Sequence, residues 1–373
     1  MADSHIRVIK HDSPTQRKVL LYIGAILIAL LIGAVLLLIL GVNPLSYYGK
    51  MITMGMPGNA IAYKNFENYL KVFVPLLVTS LALALAFKMR FWNIGGEGQF
   101  IVGAILSATV AFQLGGKLPT VIALLLMAAA AMVGAGLYGL IAASLKVRFG
   151  TNETLMTLML NYIALYVLVY LGETKADWNF YLNPESVRPI FGSFAKLVKM
   201  PVIRLGRFSL SLAVIVACAL CVLMAVYMKY TKHGYELTVV GDSEGTARYA
   251  GMKVNRIVLR TVFASAALVG LAGMLKTTTA GVLSTSITDS VGWTGVIVAW
   301  LAKLSMPMIF VVSALIGILQ YGSTVASSTY AAVDVNFANM LQGVILFCVL
   351  TADFFAHFRI VIDHRQSTGK DGE

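Results

Sequence analysis

Apolar residues run through this chain in long blocks separated by short polar turns. The blocks are residues 19–40, 72–87, 100–112, 120–143, one ending near Leu171, then 209–228, 257–275, 291–304, 307–325 and 339–358. Most approach the roughly 20 residues that an α-helix needs to cross about 30 Å of hydrocarbon. The pattern predicts an all-α polytopic membrane bundle of ten segments. Three blocks are short, 72–87, 100–112 and 291–304. Residues 72–87 reach span length only if extended or partly buried. Residues 291–304, which include Gly292-Trp293-Thr294-Gly295, read as tilted or broken, and one segment of the ten is open to a re-entrant reading. The first block exceeds a signal peptide's apolar core and shows no clear cleavage site, so it is expected to remain as a span.

One stretch interrupts the apolar pattern: Asn93-Ile94-Gly95-Gly96-Glu97-Gly98-Gln99. In a bilayer, irregular backbone is tolerated only at the edge or where protein encloses it. A charge facing lipid near the centre costs roughly 2.5 kcal/mol or more. The stretch therefore reads as a break in the membrane helices, sheltered by the rest of the bundle. Asn93, Glu97 and Gln99 either cap the broken ends and bond to neighbouring helices, or face a polar solute. Asn161, inside a later apolar block, carries the same two readings. Ala131, Ala135, Gly139 and Ala143 recur every fourth residue and predict close helix packing. Thr151 or Asn152 is placed to cap the following helix, with Glu153 in its first turn.

Composition agrees with a membrane chain. Of 373 residues, 58% are hydrophobic and 12% charged, against about 25% charged in soluble proteins. One membrane unit is expected where a soluble chain of this length would divide into domains. The net charge of +12 comes without a dense basic face, zinc spacing or aromatic–basic repeat, which argues against nucleic acid. Lys and Arg instead collect at the cytoplasmic flanks of spans, which places both termini in the cytoplasm. The expected layout is a cytoplasmic segment 1–18, a transmembrane domain 19–358 and a cytoplasmic tail 359–373 containing Arg359, His364, Arg365 and Lys370. Residues 172–208 form an external loop that departs from the charge rule, with Lys175, Arg188, Lys196, Lys199, Arg204 and Arg207. Residues 229–256 form a cytoplasmic loop. Within it, Asp242–Gly251 reads as a short helix capped by Asp242 or Ser243, either a connector or a docking helix.

The remaining chemistry excludes more than it offers. Cys218, Cys221 and Cys348 lie in apolar blocks and read as packing residues. His5, His11, His233, His357 and His364 lie near the termini or cytoplasmic edges and form no metal-ligating cluster. There is no phosphate loop, HExxH or GxSxG. No catalysis and no bound cofactor are expected. A helical bundle with a polar break suggests a transporter; an ion-coupled carrier and a membrane scaffold are the other classes.

Several motifs carry a resemblance. Phe91-Trp92-Asn93-Ile94-Gly95-Gly96-Glu97-Gly98-Gln99, Thr151-Asn152-Glu153 through Leu158-Met159-Leu160-Asn161-Tyr162, and Gly241-Asp242 through Ala247-Arg248-Tyr249-Ala250-Gly251 are the most specific. Gly292-Trp293-Thr294-Gly295 and Leu341-Gln342-Gly343 add to them. The chain resembles the membrane permeases of the ABC importer family for branched-chain amino acids, sugars and nucleosides, and within it the nucleoside and simple-sugar branch. The resemblance spans roughly residues 70–355. It implies a multi-pass subunit of a bacterial plasma membrane that forms the solute path. It also implies a cytoplasmic ABC ATPase that uses the ATP, a second and related permease chain, and an extracytoplasmic solute-binding lipoprotein. Trp92, Asn93, Glu97, Gln99, Asn161 and Trp293 become candidates for the path. Asp242, Glu244, Arg248 and Gly251 become candidates for ATPase coupling. Trp92 and Trp293 stand where related proteins often carry other residues, which leaves nucleoside and ribose-like sugar both open.

Overall fold

The computed structural model describes residues 4–10, 14–59, 61–334 and 336–364. His11, Arg365 and Lys370 lie outside the described residues. The chain is overwhelmingly helical: α1 (Thr15–Ile39), α2 (Pro44–Thr53), α3 (Ala62–Lys88), α4 (Gly96–Leu114), α5 (Thr120–Phe149), α6 (Glu153–Glu173), α7 (Leu212–Tyr230), α8 (Lys232–Asp242), α9 (Glu244–Tyr249), α10 (Val254–Ala280), α11 (Val291–Leu301), α12 (Met306–Ser327) and α13 (Phe337–His357). Among the described residues, nine are long and apolar enough to cross a membrane, namely α1, α3 to α7, α10, α12 and α13. With the shorter apolar helix α11, the expected ten segments are all present. Helix α3 begins ahead of its apolar block and reaches 27 residues, so the block that looked short is one end of a full span. Helices α2 and α8 were not separately foreseen.

The chain divides into two compact units, residues 53–322 and the terminal segments 1–52 with 323–373. In the terminal unit, α1 packs on α13, and Tyr22 donates a hydrogen bond to Asp353. Strands β1 (Ser4–Lys10) and β4 (Phe358–His364) pair antiparallel, Ser4 opposite His364 and Lys10 opposite Phe358. This brings the start of α1 and the end of α13 to one side.

The larger unit is built on close contact among α4, α5 and α10. A Cβ on Gly103 would sit 2.4 Å from the Gly270 backbone, and one on Gly270 would sit 2.4 Å from the Ala131 carbonyl. Only glycine permits backbones so near, and in an apolar solvent such dispersion contacts replace the hydrophobic drive that holds soluble helices together. The small-residue stripe of α5 is buried against α10, with Ala135 on Gly270 and Gly139 on Ala266. Helix α3 is buried along most of its length and accepts a hydrogen bond from Ser265 at the Ala82 carbonyl, 2.7 Å.

The long excursion after α6 is ordered, as expected. It carries a single 3-10 turn at Lys196–Val198 and a hairpin of β2 (Val202–Leu205) with β3 (Phe208–Ser211). Tyr181 and Phe194 pack edge-on against Phe112 of α4.

Candidate functional site

The polar break lies inside the bundle. Helix α3 ends at Lys88, Arg90 turns the chain with φ of 59°, and the backbone returns so that α4 begins with Gly96 against Leu83. Gly98 then touches Asn161, eight residues and about 12 Å into α6. Gln99 lies beside Gly139 of α5, ten residues and about 15 Å from that helix's end.

Three predicted residues meet here, and their chemistry serves one another or the freed backbone. Asn93 and Gln99, both buried, exchange amide hydrogen bonds of 3.1 and 2.9 Å. The Asn93 side-chain oxygen also accepts from the Gly95 amide. Asn161 accepts from the Gly98 amide at 2.7 Å and donates to the Ile94 carbonyl at 2.9 Å. Thr157, one turn earlier, accepts from the Ile94 amide at 3.2 Å. These contacts satisfy backbone groups freed by the break, each of which would cost about 1–3 kcal/mol if left unpaired. Thr157 was missed because a threonine in an apolar block looks like an ordinary packing residue.

Glu97 has a different partner. After α10 ends at Ala280, residues 281–290 return without regular structure. Asp289 and Ser290 have φ of 44° and 59°, a conformation held only under outside constraint in residues with a Cβ. The N-terminus of α11 follows, and its Gly292 amide donates to Glu97 Oε2 at 2.8 Å. The Thr288 side chain and the Trp293 amide lie close to this carboxylate. Glu97 therefore lies in the first turn of α4 and caps the start of α11, where two helix dipoles favour a negative charge. Glycine at 292 is required, since its Cβ would lie 2.4 Å from the Glu97 nitrogen.

Helix α11 spans 11 residues, about 16 Å, roughly half of a bilayer core. It is the short segment expected from its apolar block. Trp293 lies at its inner end and is 41% exposed. Trp92 stacks on Trp300, with centroids 5.2 Å apart, two turns from Trp293. The two predicted tryptophans thus mark opposite ends of α11.

The predicted coupling residues form a second group near the Lys88 end of α3. Ser243 ends α8 and caps α9, accepting from the Thr246 amide at 3.2 Å. Gly251 follows α9 with φ of 75°. Glu244 and Arg248 form an exposed i,i+4 pair at 3.8 Å. Tyr249, not singled out from the sequence, is 96% exposed beside them. Helix α8 is held more firmly. A Cβ on Gly241 would lie 2.0 Å from the Lys88 carbonyl, and Glu236 binds Arg260 of α10 at 2.8 Å. The hydrogen bond from Arg260, assisted by His233, holds the Glu236 carboxyl below its ordinary range.

A cavity of about 470 Å³ between α3, α7, α10 and the hairpin, bordered by Glu67, Lys71 and Lys276, contains none of the predicted residues.

Among the described residues, nine helices long and apolar enough to cross a membrane, a polar break and a short apolar helix define a multi-pass helical membrane protein of the transport class. The family follows from comparison. Residues 65–350 match the model of the branched-chain amino acid transport system permease component, and the chain belongs to that family of ABC permeases. A glucose ABC transporter permease of Haloferax volcanii is 27% identical over 90% of this chain and 88% of its own length. A nucleoside ABC transporter permease of Lactococcus lactis subsp. cremoris is 27% identical, over 82% of this chain and 84% of the relative. A guanosine ABC transporter permease of Bacillus subtilis is 30% identical, over 80% and 84%. No solved structure matches.

Proposed function

We propose that this chain is the permease subunit of an ATP-driven importer for nucleosides in a bacterial plasma membrane. The observation that carries the reading is the meeting of two helix N-termini on Glu97 within an otherwise apolar bundle. Such half-helix ends present backbone dipoles to a polar solute away from bulk water. Glu97, Trp293 and Trp92 line the path in this reading. Asn93, Gln99 and Asn161 hold the wall from behind, since their amides already serve the broken backbone.

The arm of α8 and α9 is the contact for a separate ATPase. Asp242, Glu244, Arg248 and Gly251 shape it, and Tyr249 offers the large exposed anchor typical of a hot spot. A second, related permease chain and an external binding lipoprotein complete the assembly. The cytoplasmic side is that of residues 1–18, 229–256 and 359–373, with 172–208 outside. ATP is used by the partner, and this chain binds no cofactor.

Two relatives named for nucleosides favour that solute; the glucose permease of Haloferax volcanii favours a simple sugar. The test is thermal stabilisation of the cognate binding protein by nucleosides, sugars and branched-chain amino acids, followed by uptake through the whole transporter. Selective stabilisation and uptake of nucleosides is the expected result. A response to sugars alone moves the chain to the sugar branch. Uptake that follows an ion gradient without ATP overturns the reading.

A further inference from the structure

Helix α6 exposes a face unlike those of its neighbours. Tyr162, Tyr166 and Tyr170 recur every fourth residue on one side and are 51%, 67% and 57% exposed. Each step is about 6 Å along the axis. With Met159, Ile163 and Val167 they line an open groove of about 560 Å³. Their hydroxyls have no hydrogen-bond partner among the described residues. Tyr138 and Tyr181 differ, the first donating to the Leu160 carbonyl and the second paired with Thr109.

Lipid does not explain this face. Tyrosine suits the membrane interface, where its hydroxyl stays wet, and that accounts for Tyr170 near the end of α6. Tyr162 and Tyr166 fall in the middle third of the helix, where a bare hydroxyl in hydrocarbon is costly. The exposed faces of neighbouring spans avoid that cost: α5 presents Leu125, Val133 and Leu137, and α7 presents Val222, Leu223 and Val226. The tyrosine column also begins at the level of α6 where Asn161 braces the polar break. Tyr162 follows Asn161, which holds Gly98, the residue after Glu97. At the other end Trp178 stacks on Tyr170, with ring centroids 5.9 Å apart.

We propose that Tyr162, Tyr166 and Tyr170 form one wall of the solute path, a column from the external loop to the break at Glu97. Its ligand is a ring-bearing, polyhydroxylated solute, a nucleoside or hexose. The ring faces stack on the solute while successive hydroxyls take over its hydrogen bonds. The inference rests on the permease reading and places that path on a face of which the sequence motifs reached only the Met159 and Tyr162 end.

The test uses the assembled transporter with Cys218, Cys221 and Cys348 replaced by alanine. Tyr162→Cys, Tyr166→Cys, Tyr170→Cys and, as reference, Val222→Cys are introduced singly. Each is exposed to a charged, membrane-impermeant thiol reagent and, separately, to a lipid-soluble maleimide. The column positions should react with the charged reagent at least about tenfold faster than Val222→Cys, because a charged reagent is excluded from lipid. Imported solute should slow that reaction. Labelling by the lipid-soluble reagent alone would make the face lipid-exposed and overturn the proposal. Labelling by neither would make it a permease–permease contact and also overturn it. Uptake by the cysteine-free parent separates the two readings: uptake with an inaccessible column sinks the column only, whereas no uptake of nucleoside or sugar sinks the permease reading. As a check through function, Tyr166→Phe, which keeps the ring and removes the hydroxyl, should lower uptake in part and Tyr166→Ala should lose it. Equal uptake by both would contradict a stacking wall.

Discussion

The break around Glu97 and the arm of α8 and α9 are both polar interruptions of an apolar chain, yet they treat their polar groups in opposite ways. At the break, Asn93, Gln99 and Asn161 are buried and bonded to one another or to freed backbone. On the arm, Glu244, Arg248 and Tyr249 face outward and are joined only by a loose surface pair. The difference separates residues that make the fold possible from residues left available to a partner. Replacing the first kind should cost stability, and replacing the second should cost association.

The strongest test of the first half is Gly270→Leu. Its Cβ would meet the Ala131 carbonyl at 2.4 Å, and backbone cannot yield there as a side chain can. Loss of folded protein in detergent, read by size exclusion, is expected; normal yield would show that α5 and α10 do not need this contact. Asn161→Leu comes next. It strips the Gly98 amide and Ile94 carbonyl of their partners and should destabilise by about 2–6 kcal/mol, at about 1–3 kcal/mol per orphaned group. An unchanged thermal midpoint would make Asn161 a solute ligand and not a brace.

Glu97→Gln sharpens the comparison because it keeps shape and an acceptor while removing charge. Uptake should fall by about tenfold, the equivalent of a charge-assisted hydrogen bond reduced by about 1.4 kcal/mol, with membrane insertion intact. Uptake equal to the parent's would end the functional role of this carboxylate. Glu244→Arg should lower co-purification with the ATPase while shifting stability by no more than about 0.5 kcal/mol, the scale of an i,i+4 pair. Normal association and coupled transport would remove the docking assignment.

The smallest effect concerns pH. Glu236 has a lowered value when folded, so its contribution is fully present above its ordinary value of 4.5 and is lost as pH falls through the lowered one. The partly exposed pair with Arg260 limits the loss to about 1 kcal/mol or less. Glu236→Gln should flatten the acid limb of the stability curve, and an unchanged limb would locate the acid response elsewhere.

Much of this was legible in the chain because membrane helices declare themselves by length and composition. The ten segments, the Asn152 cap of α6, the short helix ended by Gly251 and the packing stripe of α5 are all local patterns. Whether Glu97 caps a helix or faces a solute could not be read locally, since Gly292 lies 195 residues away. Apart from Tyr162, the tyrosine column escaped notice for another reason. Tyrosines in an apolar block look like packing until the structure shows that their side of the helix is uncovered.

The stacked indoles of Trp92 and Trp300 have an optical consequence. At 5.2 Å and 16° between planes, the transitions of two such rings mix, and the pair becomes a chromophore distinct from Trp178 and Trp293. Near-ultraviolet circular dichroism should carry its signature, and Trp300→Phe should erase it. The chain thus holds a native reporter at the far end of α11, one that shows without any added label whether the half-helix keeps its seat during a transport cycle.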